Sequence, residues 1–191
     1  MHTSRQTIAD TSKPYIDATP PSDAQEKVAS LLAPFDAMFG RAPDALRMLA
    51  VSPSILENYI HNIGYFIQHP RLSPALTGMI RYLASASGGC TYCVNLNEQI
   101  LLSNGVSLEA IRGARENPQK APLEAREKAL LGLVVKAVNT PHDVTAEDVD
   151  EARAHDWSDG DIFDALYHGH SARAFGSLLD SLNLQQEGVL G

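Results

Sequence analysis

The sequence is poor in cysteine, in aromatic residues and in positive charge, and each shortage excludes something. Two cysteines in 191 residues are too few for a disulfide framework. Fifteen Lys and Arg against 23 Asp and Glu leave a net charge of −8, so there is no basic stripe for nucleic-acid phosphates. No apolar run approaches the roughly 20 residues that span a bilayer. The longest, Ala129 to Val135, stops at Lys136. The N-terminal residues MHTSRQTIADTSKPY lack the apolar core of a secretory signal. The expectation is a cytoplasmic protein that binds neither nucleic acid nor membrane. Strand patterning is also missing: no stretch alternates at period two, and no Asn-Gly turn joins two strand-like runs.

Helical periodicity is what the chain has instead. Residues 1–21 are polar and carry Pro14, Pro20 and Pro21, and they read as an extended arm ahead of one helical domain over 22–191. Val28, Leu31, Leu32 and Phe35 recur at helical spacing up to Gly40. Ser52-Pro53 and Ser73-Pro74 each place a capping residue before a proline at the first helical position. Leu72, Leu76, Met79, Ile80 and Leu83 form an apolar stripe that ends at Gly88-Gly89. A further helix carries Cys93, Leu96, Ile100 and Leu101 and stops at Asn104-Gly105. Leu123 to Val138 is apolar on most sides in its second half and predicts a central helix. Thr145 with Asp148, and Ser158 with Asp161, have capping-box spacing, the second opening a last helix over Asp159 to Leu182. The predicted fold class is all-α, a helical bundle.

The two cysteines stand at Cys90 and Cys93, as Cys-x-x-Cys. A c-type haem site needs His directly after the second cysteine, and Val94 is there. A structural zinc needs four ligands, and this pair supplies two, which leaves only a zinc shared between subunits. A disulfide here closes so small a loop that its stabilisation is only about 2 kcal/mol. Redox use explains the spacing better. The Gly-Gly break puts Cys90 at or near a helix N-terminus and Cys93 in the first turn, where free N–H groups and the helix dipole favour a thiolate. A thiolate attacks a peroxide or disulfide, and a second sulfur one turn away resolves the product. The residues imply no cofactor and no resident metal.

The run Leu72-Ser73-Pro74, then Gly88-Gly89-Cys90-Thr91-Tyr92-Cys93-Val94-Asn95-Leu96-Asn97, then Leu101 and Asn104-Gly105-Val106-Ser107 resembles the alkylhydroperoxidase D / carboxymuconolactone decarboxylase superfamily. It is most similar to the peroxidase-related branch. The resemblance covers roughly residues 40–183, is sharpest over 72–111, and includes the late helix after Trp157-Ser158-Asp159. It implies an all-helical subunit that forms a homo-oligomer, a dimer or higher. In the family's peroxidases the cysteines matching Cys90 and Cys93 reduce hydroperoxides. Two positions depart from the pattern. The relay His four residues after the second cysteine is Asn97, and the relay Glu falls near Gly78, with no acid between Gln68 and Cys90. The decarboxylase branch generally lacks the cysteine pair, so its retention favours redox chemistry.

Other residues are candidates for supporting roles. Tyr92 can hydrogen-bond a thiolate or substrate. Asn97, one turn beyond Cys93, can position but cannot titrate near neutrality. Glu98 is the nearest acid after the motif. On the last helix, His170 falls in the apolar stripe of Phe163, Leu166, Tyr167 and Ala174, with His168 toward its edge. The two point about 200° apart and make a poor metal pair. His61 and His69 precede the motif and could replace the relay only through tertiary proximity. Asp143, Glu147, Asp148, Asp150 and Glu151 read as a solvated face. The expected activity is a thiol-dependent hydroperoxide reductase or thiol-disulfide oxidoreductase with an altered proton relay. Its partners are a hydroperoxide or disulfide substrate and a thiol reductant. The competing readings are a non-catalytic oligomeric binding or structural protein with a vestigial disulfide or shared zinc, and a lactone decarboxylase.

Overall fold

The computed structural model describes residues 13–184. The outer part of the expected arm, residues 1–12, and the chain's last residues, 185–191, lie outside the described residues. The described residues form α-helices with no strand. In chain order these are α1 (Gln25–Phe39), α2 (Asp44–Leu49), α3 (Pro53–Ile67), α4 (Pro74–Gly88), α5 (Thr91–Ser103), α6 (Leu108–Glu116), α7 (Ala125–Asn139), α8 (Ala146–Ala154) and α9 (Asp159–Ser181).

α4 is the axis of the bundle and packs chiefly against α9, α5 and α7. Ser73 starts it, its hydroxyl accepting the Leu76 N–H at 3.1 Å ahead of Pro74 at the first position. Gly89, at φ 80°, ends it in the left-handed conformation that favours glycine. From Leu76 to Ser85 every residue is buried except Arg81. Burying an aliphatic side chain contributes roughly 1.5–3 kcal/mol, so this run anchors the core. Small residues set the distance between neighbouring helices. A Cβ on Gly78 would come within 2.8 Å of Leu101 Cδ2 on α5. α7 buries Leu130, Leu131, Leu133, Val134, Ala137 and Val138, as a central helix should.

α1, α2 and α3 form a lobe of their own, in which Val28, Leu32, Ala42, Leu46, Leu49 and Leu56 pack together. Residues 13–21 run without helix and meet the far end of the bundle. Tyr15 N–H donates to the Leu182 carbonyl at 3.0 Å, and Asn183 Nδ2 donates to the Lys13 carbonyl at 2.9 Å. Both expected capping boxes form, at Thr145/Asp148 and Ser158/Asp161, with a third at Glu124/Glu127. One expected cap does not form: Ser52 precedes Pro53 but makes no side-chain hydrogen bond to the helix. No helix of the described residues is long and apolar enough to cross a membrane.

The inward face of α9 differs from the expected one. Phe163 and Tyr167 are 67% and 48% exposed, and His170 is exposed beside them. The buried line is Ile162, Ala165, His168, Gly169, Gly176 and Leu179. Glycines at the closest approaches leave this face little side-chain hydrophobicity, so the larger aromatic residues on the outer face dominate the pattern.

Candidate active site

The site is built where α4 stops and α5 starts. Cys90 caps α5, its sulfur accepting the Cys93 N–H at 3.2 Å. The helical turn brings the two Cα atoms to 5.3 Å, and the sulfurs are joined in a disulfide. The two cysteines are not equivalent. Cys90 is fully buried, with Gly176 of α9 against it, whereas Cys93 is 6% exposed and lines a cavity of about 320 Å³.

The cavity lies between the α1–α3 lobe and the bundle. Phe35, Leu46, Ile63, Phe66, Leu96 and Phe175 give it apolar walls, and Met38 and Ile67, 69% and 66% exposed, stand at its outer edge. Tyr59 stacks on Phe175 with ring centroids 4.4 Å apart. Burial pushes the Tyr59 hydroxyl up to about 12, so it stays protonated.

Of the candidates, Tyr92 and Asn97 join Cys93 in this wall. The Tyr92 hydroxyl accepts the Ala45 N–H at 3.0 Å, tying the start of α2 to the cysteine turn. Asn97 is buried; its Nδ2 donates to the Cys93 carbonyl at 2.8 Å, and its Oδ1 accepts from Arg81 Nε at 3.1 Å. Glu98 pairs instead with Arg112 at 3.4 Å and does not line the cavity. His170 is directed outward, with Nδ1 against its own helix at the Leu166 carbonyl, 2.9 Å. His61 is exposed. His69 is held by Asp164 at 3.2 Å, outside the cavity wall.

Two residues that sequence reasoning did not place here complete the polar floor. Arg81 Nη1 lies 3.4 Å from His168 Nε2. An arginine only donates, so that nitrogen is the acceptor and His168 is neutral. Burial first, then the charge of Arg81, hold the His168 pKa down at about 3. Burial likewise pushes Arg81 down from its ordinary value, yet an arginine keeps its proton in proteins. A signal for Arg81 did exist: it is the only charged residue between Arg71 and Glu98, inside an otherwise apolar helix.

No family model matches the chain, and no curated protein matches it in sequence. Solved structures do match it. A peroxidase-related protein from Silicibacter sp. TM1040 superposes with a TM-score of 0.81 at 16% identity, over 92% of each chain. An alkylhydroperoxidase AhpD core protein from Ralstonia eutropha JMP134 gives 0.75 at 19% identity, over 93% of this chain and 92% of that one. The chain has the alkylhydroperoxidase D-like fold. A cysteine variant of the debrominase Bmp8, bound to 2,3,4-tribromopyrrole, shares this fold with a TM-score of 0.72 at 16% identity, over 93% and 95% of the two chains. Within the alkylhydroperoxidase D-like fold, this chain pairs its Cys-x-x-Cys turn with Asn97 and Arg81.

Proposed function

We propose that the protein is a thiol-dependent reductase of organic hydroperoxides in which Cys93 attacks and Cys90 resolves. One observation carries the reading: Cys93 borders the cavity while Cys90 lies behind it, already bonded to Cys93.

In the reduced protein the Cys93 thiolate attacks one oxygen of the hydroperoxide. An S–O bond forms, the O–O bond breaks, and the departing alkoxide takes a proton to leave as an alcohol. The Cys90 thiolate then attacks the Cys93 sulfur, and hydroxide leaves as water after protonation. The peroxide has been reduced by two electrons and the pair oxidised to the disulfide. An external dithiol returns those electrons. The Cys93 N–H on the Cys90 sulfur, at the N-terminus of α5, favours Cys90 as thiolate.

Protonation of the leaving oxygen is the weak step. Asn97 does not titrate and His168 is held neutral, so the site offers no acid poised near neutral pH. Slow turnover follows. The exposed outer residues of α9, Phe163, Tyr167 and Leu178, support a homo-oligomer with a dimer as its smallest unit.

The test is consumption of cumene hydroperoxide by the dithiothreitol-reduced protein, with zinc content measured alongside. Stoichiometric loss of peroxide and of two thiols supports the reading. Activity that survives loss of both cysteines, or tightly bound zinc with no oxidation, ends it. A second reading uses the same electrons: reductive dehalogenation, R–Br plus two thiols giving R–H, disulfide and HBr. The apolar cavity at Cys93 and the brominated pyrrole in the Bmp8 structure favour keeping it in the substrate panel.

A further inference from the structure

Among the described residues, Arg81 is a cation in an apolar cavity without a counterion. No Asp or Glu lines that cavity, and among the described residues no carboxylate pairs with the guanidinium. Its Nε is engaged by Asn97 and one Nη1 hydrogen faces His168, which leaves Nη2 and the second Nη1 hydrogen unassigned. The other polar groups in the wall, Tyr59, Asn62, Ser85 and Ser171 among them, are neutral. A charge taken out of water is costly unless something pairs with it. Every neighbour of Arg81 on α4 from Leu76 to Ser85 is buried, so an apolar side chain at this position would fit the helix pattern better. A structural role for the charge would call for an acidic partner, and there is none among the described residues.

We infer that the cavity binds apolar organic monocarboxylates, with the carboxylate on the free end of the Arg81 guanidinium and the hydrocarbon along the walls toward Met38 and Ile67. The planar end of arginine presents two parallel N–H donors and matches a carboxylate in bidentate fashion. His168 and Asn97 hold the fork in place by accepting its other hydrogens. Because Asn97 also bonds the Cys93 carbonyl, head-group recognition and the reactive cysteine lie on one hydrogen-bonded chain. The volume, about 320 Å³, is at the small end of ordinary ligand pockets, roughly 300–1,000 Å³. The inference rests on the cavity being the substrate site, and it narrows the substrate to an apolar acid bearing the hydroperoxide on its chain.

The test is calorimetric binding of decanoate and of decanol to the oxidised wild-type protein, repeated with Arg81→Gln and Arg81→Lys. Decanoate should bind at least about tenfold more tightly than decanol. Arg81→Gln should erase that preference while leaving decanol binding in place, and Arg81→Lys should restore part of it. Equal affinity of the two ligands in wild type, no binding of either, or a preference that survives Arg81→Gln overturns the inference. The wild-type comparison needs no variant to fold, and none of these measurements needs turnover. A protein that prefers decanoate but consumes no hydroperoxide therefore sinks the peroxidase reading alone.

Discussion

A Cβ built on Gly176 would stand 3.0 Å from the Cβ of Cys90 and 3.5 Å from both cysteine sulfurs. The last helix thus forms a wall directly behind the disulfide, and the room for that disulfide is one missing side chain. Gly176→Ala sets a helix-propensity gain of about 1 kcal/mol against overpacking of about 1–3 kcal/mol. It should lower Tm slightly and still oxidise. Gly176→Val cannot be accommodated without moving Cys90. Thiol titration after one equivalent of peroxide should find one free thiol in the Val variant, with Cys93 held as a sulfenic acid, and none in wild type.

Exposure separates the cysteines, and so should reactivity. Reduced protein treated briefly with iodoacetamide should be alkylated at Cys93 before Cys90, because only Cys93 borders the cavity. Cys90→Ser should accumulate a sulfenic acid on Cys93 that dimedone traps, whereas Cys93→Ser should give no adduct. Peptide mass spectrometry reads both, and preferential labelling of Cys90 reverses the assigned roles.

Asn97 joins the cysteine turn to Arg81. Asn97→Ala leaves Arg81 Nε without its acceptor, which costs about 1–3 kcal/mol for a buried polar group left unpaired, while the Cys93 carbonyl keeps its helical bond. Urea denaturation should show the loss. Asn97→His supplies a titratable group at the same turn, and a positioned acid is worth about 10²- to 10⁴-fold. Its kcat for cumene hydroperoxide should exceed the wild-type value by at least about tenfold. A wild-type rate that Asn97→His fails to raise would mean that proton delivery is already adequate.

His168 makes stability pH-dependent in a defined direction. In the unfolded chain its pKa is near 6.5, and in the folded protein it is held at about 3. Between those values the unfolded state binds the extra proton, so stability is complete above pH 6.5 and falls as pH drops toward 3. The slope is about 1.4 kcal/mol per pH unit while the difference persists. The carboxylates held low, Asp17, Glu57, Glu147, Asp148, Asp159 and Asp161, act only near and below their ordinary values of 3.8 for Asp and 4.5 for Glu. The interval from pH 5 to 6.5 therefore reports His168. Urea midpoints should fall across that interval in wild type and stay flat in His168→Gln.

Gly169 sets the approach of α9 to α7. An added Cβ would lie 2.6 Å from Val134 Cγ1 and 3.1 Å from Val138 Cγ2, both on a well-packed face. Gly169→Ala should destabilise by about 1–3 kcal/mol despite the better helix propensity. Val134→Ala in the same chain should recover part of that loss, as a double-mutant cycle would show.

The sequence by itself determined most of the helical architecture and the pairing of two cysteines in one turn. Apolar spacing, Ser73-Pro74, Gly40 and the Gly88-Gly89 break are local signals, read within one or two helical turns, and the helices begin and end at them. Cys90 and Cys93 were legible for the same reason, since a turn of helix brings i and i+3 together without help from the rest of the fold. Tertiary structure alone decided which sulfur faces the cavity, because that depends on Gly176, 86 residues beyond Cys90. It also decided which histidine lines the cavity. The bulky residues of α9 face outward and its glycines face inward, so hydrophobicity pointed to the His170 side while packing put His168 beside Arg81. Arg81, Asn97 and His168 come from three helices, and a chain of hydrogen bonds across helices leaves no periodicity in any one of them.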